Sequence, residues 1–164
     1  MESYQFAKYN YQSQGVGVAA LFCEKHVVSV ESNQTLDRVA RMMKEHRIGD
    51  IIVVEKRNDV SVPIGMITDR DLAIEVVARA ENADSMYASD IMSPQVTTAK
   101  LSDDVFTMIA IMKKSKIGRL PVIDEDGGLC GIVTAKAILR FLVNEIENLI
   151  HISDRNVEGA LHPH

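Results

Sequence analysis

A chain of 164 residues, 46% hydrophobic and 25% charged, has the make-up of a folded globular protein. It is long enough for one compact domain or for two small subdomains sharing a core. Its net charge of −5 argues against a general electrostatic affinity for nucleic acid or an anionic membrane. No basic-then-apolar leader and no apolar run of membrane-spanning length is read in the sequence. The two cysteines, Cys23 and Cys130, lack CxxC spacing. A reducing, cytoplasmic setting is therefore expected, with both thiols serving as small apolar fillers.

Residues 1–18 hold three of the four tyrosines, Tyr4, Tyr9 and Tyr11, without helical or alternating period. They read as an N-terminal tail, or as an arm packing on a partner subunit. From Ala19 a pattern occurs twice, at an offset of 69 that aligns Val27–Val30 with Val96–Ala99. The same offset aligns two apolar stripes at i, i+3, i+4, i+7 spacing. They are Leu36, Val39, Ala40, Met43 and Val105, Met108, Ile109, Met112. Asn33 or Thr35 is the expected cap of the first helix, and Ser102 of the second. Each helix is expected to stop at a glycine, Gly49 or Gly118, after a basic last turn.

Buried strands are expected at Ile51–Val54 and Leu120–Ile123, followed by polar turns at 56–59 and 124–128. The spacing from Gly49 to Gly65 is 16 residues and from Gly118 to Gly131 is 13, which predicts a first hairpin loop three residues longer. The hairpins return through Pro63–Ile67 and Leu129–Val133 into helices predicted over 69–80 and to about Ile150. Ser89–Met92 reads as a capped helical turn, with Leu21-Phe22-Cys23 as its counterpart ahead of the first copy.

The organisation is thus an arm over 1–18, a repeat over 19–80, a linker over 81–88, a repeat over 89–150 and a tail over 151–164. Each repeat runs strand, helix, strand, strand, helix. About 60 residues are marginal alone, so the two are expected to pack sheet to sheet as a pseudo-two-fold α/β (α+β) module.

The stretch Gly65-Met66-Ile67-Thr68-Asp69-Arg70-Asp71-Leu72 ends a strand and opens a helix, and Gly131–Ile138 is its second copy. Thr68 and Asp71 have capping-box spacing, where the hydroxyl caps and the acid reaches back. The same groups can hold a phosphate and a vicinal diol, and both roles stay open. Arg70 and Lys136 are unfavourable near a helix N-terminus unless they face an anion. Arg47, Lys116 and Arg119 can add positive field. Thr134 is retained, but Ala137 replaces the acid, so one competent site and one weak or empty one are expected. Ser29 and Thr98 occupy matching first-strand positions. They are either exposed strand residues or contacts to a base or sugar.

The doubled order of elements, the Leu120-Pro121-Val122 run and the Gly-x-x-Thr-x-x-Asp ending resemble a tandem pair of CBS (cystathionine-β-synthase) domains, a Bateman module, from about Ala19 to Ile150. The resemblance implies an adenosine-containing ligand, AMP, ADP or ATP, in clefts between the repeats. Ile51, Ile52, Leu120 and Pro121 would flank the base, Thr68 and Thr134 would meet phosphate with Arg70 and Lys136, and Asp71 would grip the ribose. It further implies a disc-like homodimer and a regulatory, non-enzymatic role that signals to a separate partner protein. A ligand-independent scaffold with vestigial sites, or a sensor of S-adenosylmethionine, NAD or a cyclic dinucleotide, stands as the alternative. No Ser/His/Asp or paired-carboxylate set emerges for catalysis. No metal site is expected either, His162-Pro163-His164 being without further ligands.

Overall fold

The computed structural model describes the backbone of residues 22–160 and side chains over 22–153; the N-terminal arm, Leu21 and the His162-Pro163-His164 run lie outside the described residues. The first repeat contains β1 (Ser29–Glu31), α1 (Leu36–His46), β2 (Asp50–Arg57), β3 (Val60–Thr68) and α2 (Asp69–Leu72). After the short α3 (Ala88–Ile91), the second contains β4 (Ala99–Lys100), α4 (Val105–Ser115), β5 (Arg119–Ile123), β6 (Leu129–Thr134) and α5 (Ala135–Ala160). Each repeat forms one three-stranded sheet, in the orders β1-β2-β3 and β4-β5-β6. In each, the first pair is parallel and the second antiparallel.

Side-chain alternation divides each sheet into two faces. Val30, Ile51, Val53 and Ile67 pack on Leu36, Val39 and Met43 of α1, making one core. Ala99, Leu120, Val122 and Val133 pack on Met108 and Met112 of α4 and Ile138 of α5, making the other. The opposite faces carry Ile52, Val54 and Pro121, also buried. The sheets approach through β3 and β6, so the repeats pack sheet to sheet as expected. Both central strands carry a register shift at equivalent places, Val53/Val54 and Val122/Ile123.

Several local expectations are corrected. Thr35 does cap α1, its Oγ1 accepting from the Arg38 N–H at 3.4 Å. The cap of α4 is Asp104, not Ser102. Its Oδ1 accepts from the N–H groups of Phe106 and Thr107 at 2.8 and 2.9 Å, and its Oδ2 from the Thr107 hydroxyl. A carboxylate two residues later closes more bonds than a hydroxyl could, and these donors hold it below its ordinary pKa, the Thr107 N–H most strongly. The left-handed residues that end α1 and α4 are Arg47 (φ 53°) and Lys116 (φ 55°), not the glycines. A single long side chain tolerates that conformation when the cap N–H is satisfied, here by Lys44 and Met43 carbonyls in α1 and Met112 in α4.

The extra residues of the first hairpin lie in its strands, not its loop. β2 and β3 span eight and nine residues around a two-residue turn, Asn58 and Asp59, both at positive φ. The second hairpin has shorter strands and a wider loop that Asp124 organises by accepting from the Asp126 and Gly128 N–H groups. The helix predicted over 69–80 is α2 continued by a π-helical segment, Ala73–Val77, closed by an Ala78 N–H bond to the Ala73 carbonyl. The final helix runs past Ile150 to Ala160, so 151–160 is helix rather than tail. No Gly or Pro interrupts it before Gly159.

The segments ahead of each repeat cross to the other. Glu24 pairs with Ile132 of β6 through two backbone bonds of 2.9 and 3.0 Å. The Ser93 N–H donates to the Met66 carbonyl of β3 at 3.0 Å. Cys23 and Met92, equivalent by the 69-residue offset, then sit against Gly131 and Gly65, where an added Cβ would overlap Cys23 Sγ and lie 2.5 Å from Met92 Sδ. Phe22 is in a turn, and Cys23 follows it directly before the bridge at Glu24. Pro121 is tolerated inside β5 because it faces Ile132 at a non-hydrogen-bonded position, Ile132 bonding outward to Glu24, and because β4 begins only opposite Val122.

Candidate ligand clefts

Two equivalent corners are built from the ends of β3 and β6 and the strand starts beside them. Strand register sets Asp50 opposite Thr68 and Arg119 opposite Thr134. The Arg119 Nη1 donates to Asp50 Oδ1, which ties the repeats together at equivalent positions separated by 69 residues. The pseudo-two-fold axis therefore passes near a pair of opposite charge.

At the first corner the Thr68 N–H and hydroxyl donate to Asp71 Oδ2 at 2.8 and 2.7 Å. The Asp71 N–H donates back to Thr68 Oγ1 at 3.2 Å. This is a complete capping box. Both bonds to the carboxylate converge on Oδ2. Both residues are half-buried, and Arg70 is exposed.

At the second corner Thr134 Oγ1 accepts from the Ala137 N–H at 3.0 Å. With a methyl group at 137 there is no carboxylate to receive the hydroxyl proton, which is left to a neighbour or ligand. Thr134 borders a cavity of about 300 Å³ between the repeats. Its walls are Glu24, His26, Val27, Val28, His46, Ile48, Asp50 and Ile52 from the first repeat and Arg119, Ile132 and Thr134 from the second. That volume sits at the lower end of small-molecule clefts.

The structure divides the sequence-predicted residues into groups. Ile52, Thr134 and the cation Arg119 come together in the cavity wall, whereas Lys136, next to Thr134, is exposed. Thr68 and Asp71 form the other corner. Pro121 is fully buried on β5. Ile51 and Leu120 instead belong to the two helix-facing cores, at 1% and 0% exposure. Alternation along β2 and β5 makes them fold residues. Ser29 is half-buried in β1, paired with Ile52, and Thr98 is half-buried just before β4. His26 and His46 are exposed and border the cavity. His26 is placed there by the crossed lead segment, which no local pattern shows, and His46 by the end of α1.

Cys23 and Cys130 are both half-buried free thiols. Burial pushes Cys23 up to about 11, with Cys130 nearby adding to the shift, and burial raises Cys130 as well. A raised thiol is a poor nucleophile. Among the described residues, no group of three or more His, Cys, Asp or Glu could hold a metal ion. Among them, no helix is long and apolar enough to cross a membrane.

A doubled β-α-β-β-α unit with two cap-bearing corners at its sheet interface defines a tandem-repeat binding fold. The CBS domain model matches residues 18–78 and 88–144, and the chain belongs to the CBS-domain family as a domain pair. It is 32% identical over 137 residues to the CBS domain-containing protein YhcV of Bacillus subtilis, covering 80% of this chain and 91% of that protein. It is 38% identical over 126 residues to an uncharacterised protein of Methanopyrus kandleri, spanning 75% of this chain but 63% of that one. The inosine-5′-monophosphate dehydrogenase of Korarchaeum cryptofilum is 32% identical over 120 residues, only 23% of the enzyme's length. Among solved structures, the CBS domain pair of protein MJ0100, in complex with 5′-methylthioadenosine and S-adenosyl-L-methionine, superposes with a TM-score of 0.62. The two are 26% identical, covering 74% of this chain and 95% of that one.

Proposed function

We propose that this chain is a regulatory module that binds an adenosine-containing ligand, of the AMP, ADP or ATP type, and signals its presence to a separate protein. The observation that carries the reading is the inter-repeat cavity, walled by both repeats and bordered by Thr134 and Arg119. A ligand there touches both halves and favours one relative arrangement of them, and a partner protein reads the change in population. The likeness to a CBS pair that holds two adenosyl compounds supports the ligand class. At the first corner, a ribose diol binds the Asp71 carboxylate by engaging Oδ1 or by displacing the Thr68 hydroxyl from Oδ2.

Two copies associating as a disc complete the proposal. α5 presents Leu139, Ile146, Leu149 and Ile150, each more than half exposed, at spacings of three, four and seven. The stripe continues from an apolar groove lined by Ile109, Met112 and Leu142 between α4 and α5. A stripe of that extent, left exposed among the described residues, suits a second copy of the same helix.

The experiment is a thermal melt with and without AMP, ADP and ATP. A ligand at 100 times its Kd adds about 2.7 kcal/mol. In a chain of this size that raises Tm by roughly 5–10 °C. Asp71→Asn, which keeps the volume, is expected to abolish the shift for ligands held by the diol. No shift with any adenine compound would overturn the proposal. A dimer unresponsive to all of them would favour the scaffold reading, which the loss of the acid at Ala137 otherwise recommends.

A further inference from the structure

The apolar groove between α4 and α5 has a charged end. It measures about 500 Å³, within the range of small-molecule sites. Met112 and Ile138, both buried, form its floor, and Ile109, Leu139 and Leu142 its sides. The Ala135 N–H donates to the Gly118 carbonyl at 2.8 Å, which sets the start of α5 beside the end of α4. Lys113 and Lys116 therefore stand with Ala135 at one end of the groove, and Ile109 and Leu142 at the other. Both lysines are exposed, and neither joins an ion pair among the described residues. The first turn of α5 has no acidic residue to balance them.

The first repeat differs at the same places. Asp69 follows Thr68 as Ala135 follows Thr134, and its N–H makes the matching bond to the Gly49 carbonyl at 2.9 Å. Lys44 and Arg47 are the counterparts of Lys113 and Lys116, so there a carboxylate accompanies the two cations. Ala40 and Ala73 stand where the second repeat has Ile109 and Leu139. Two apolar enlargements and the absence of an acid thus fall on one groove. We infer that this groove binds a free medium-chain fatty acid, its acyl chain between α4 and α5 and its carboxylate at Lys113 and Lys116. Ala135 to Leu142 is seven residues of helix, a length of about 10 Å. An extended chain advances about 1.2 Å per bond, so about eight to ten carbons fill it. Burial of the chain supplies the affinity, and the two ammonium groups select an anionic head over a neutral or cationic one. The exposed stripe of α5 runs on through Ile146, Leu149 and Ile150, outside the groove, so the site adjoins the dimer contact proposed above and is separate from the inter-repeat cavity.

Titration calorimetry of the full chain with decanoate, kept below the concentration at which it forms micelles, tests this. Wild type is expected to bind decanoate saturably, decanol about fivefold more weakly and decyltrimethylammonium about tenfold more weakly or less. Ala135→Asp restores the acid of the first repeat at a helix start, where it is expected to fold, and weakens decanoate about fivefold. Lys116→Gly removes a cation from a left-handed position that glycine prefers, and weakens decanoate about threefold without lowering Tm. Leu139→Gln, at a side chain 62% exposed, weakens decanoate and decanol alike. Failure of wild type to bind decanoate, or decanol or the cationic amphiphile binding as tightly as decanoate, would overturn the inference. Unchanged affinity in Ala135→Asp would do the same. So would decanoate binding only to the Ile146→Lys, Leu149→Lys variant, which would mean that a second copy covers the groove. Retention of the protein on anionic phospholipid vesicles would also overturn it, in favour of a membrane. The site is independent of nucleotide binding, so each of these failures leaves the adenosine reading standing.

Discussion

Gly131→Ala is the substitution through which the crossed lead segments are best tested. A methyl group at 131 would overlap Cys23 Sγ and lie 3.1 Å from the Glu24 carbonyl oxygen. That carbonyl accepts the Ile132 N–H, so the lead cannot retreat without stretching the 3.0 Å bond that holds it. Overpacking of this kind costs typically 1–3 kcal/mol. About 2 kcal/mol lowers Tm by roughly 4–8 °C in a chain of this length. Cys23→Ala removes the sulfur and, alone, leaves a small gap at modest cost. Combined with Gly131→Ala it lets the two methyl groups share the space. The double variant is therefore expected to be more stable than Gly131→Ala alone, with a non-additivity of about 1 kcal/mol or more. Urea and thermal unfolding of the four proteins in the cycle measure it. Additive effects, or a Gly131→Ala protein as stable as wild type, would refute the claim that the lead of one repeat is packed onto the other.

Three further outcomes are expected. The Asp50–Arg119 tie, with side chains 21% and 40% exposed, should show a coupling of about 0.5–1 kcal/mol in a double-mutant cycle with Asp50→Asn and Arg119→Gln, weakening in 1 M salt. The swap Asp50→Arg with Arg119→Asp should recover it, and an unrecovered swap counts against the pairing. Cys23, raised to about 11 chiefly by burial, carries about 100-fold less thiolate than an ordinary thiol. Iodoacetamide should modify it slowly at pH 8 and faster as pH approaches 11. The unfolded thiol loses its proton first, near its ordinary value of 9.0, so stability should fall as pH rises from 9 towards 11. Rapid native alkylation at pH 8 would contradict its burial. On α5, Ile146→Lys combined with Leu149→Lys should halve the mass measured by light scattering without shifting far-ultraviolet dichroism, since both side chains are exposed within one copy. An unchanged mass would count against the proposed contact through α5.

The doubled architecture was legible because its signals are local. Stripes such as Leu36, Val39, Met43 and Val105, Met108, Met112 face the cores as their spacing requires. The misreadings share a physical cause. Ser102 and Asp104 are both cap residues, and only the backbone conformation decides which has N–H groups in reach. Gly49 and Gly118 marked the helix ends approximately, while the left-handed residue fell two positions earlier on a long cationic side chain. Ile51 and Ile52 are neighbours of one chemical type, and strand alternation gives one to the core and the other to the cavity. Which is which depends on the sheet's inner face, a tertiary fact.

The register of the hairpins carries the same lesson into the site. Asp50 is 18 residues from Thr68, and Arg119 is 15 from Thr134. Because the first hairpin places its extra residues in its strands, both pairs end opposite one another despite the unequal lengths. From the sequence, Asp71 against Ala137 is a single difference and reads as decay. Once register adds Asp50 against Arg119, and the following turns add Asp69 against Ala135, three equivalent positions differ in charge. At one of these places, Asp50 and Arg119, the two differing residues also bond to each other across the repeats, beside the backbone bonds of the lead segments.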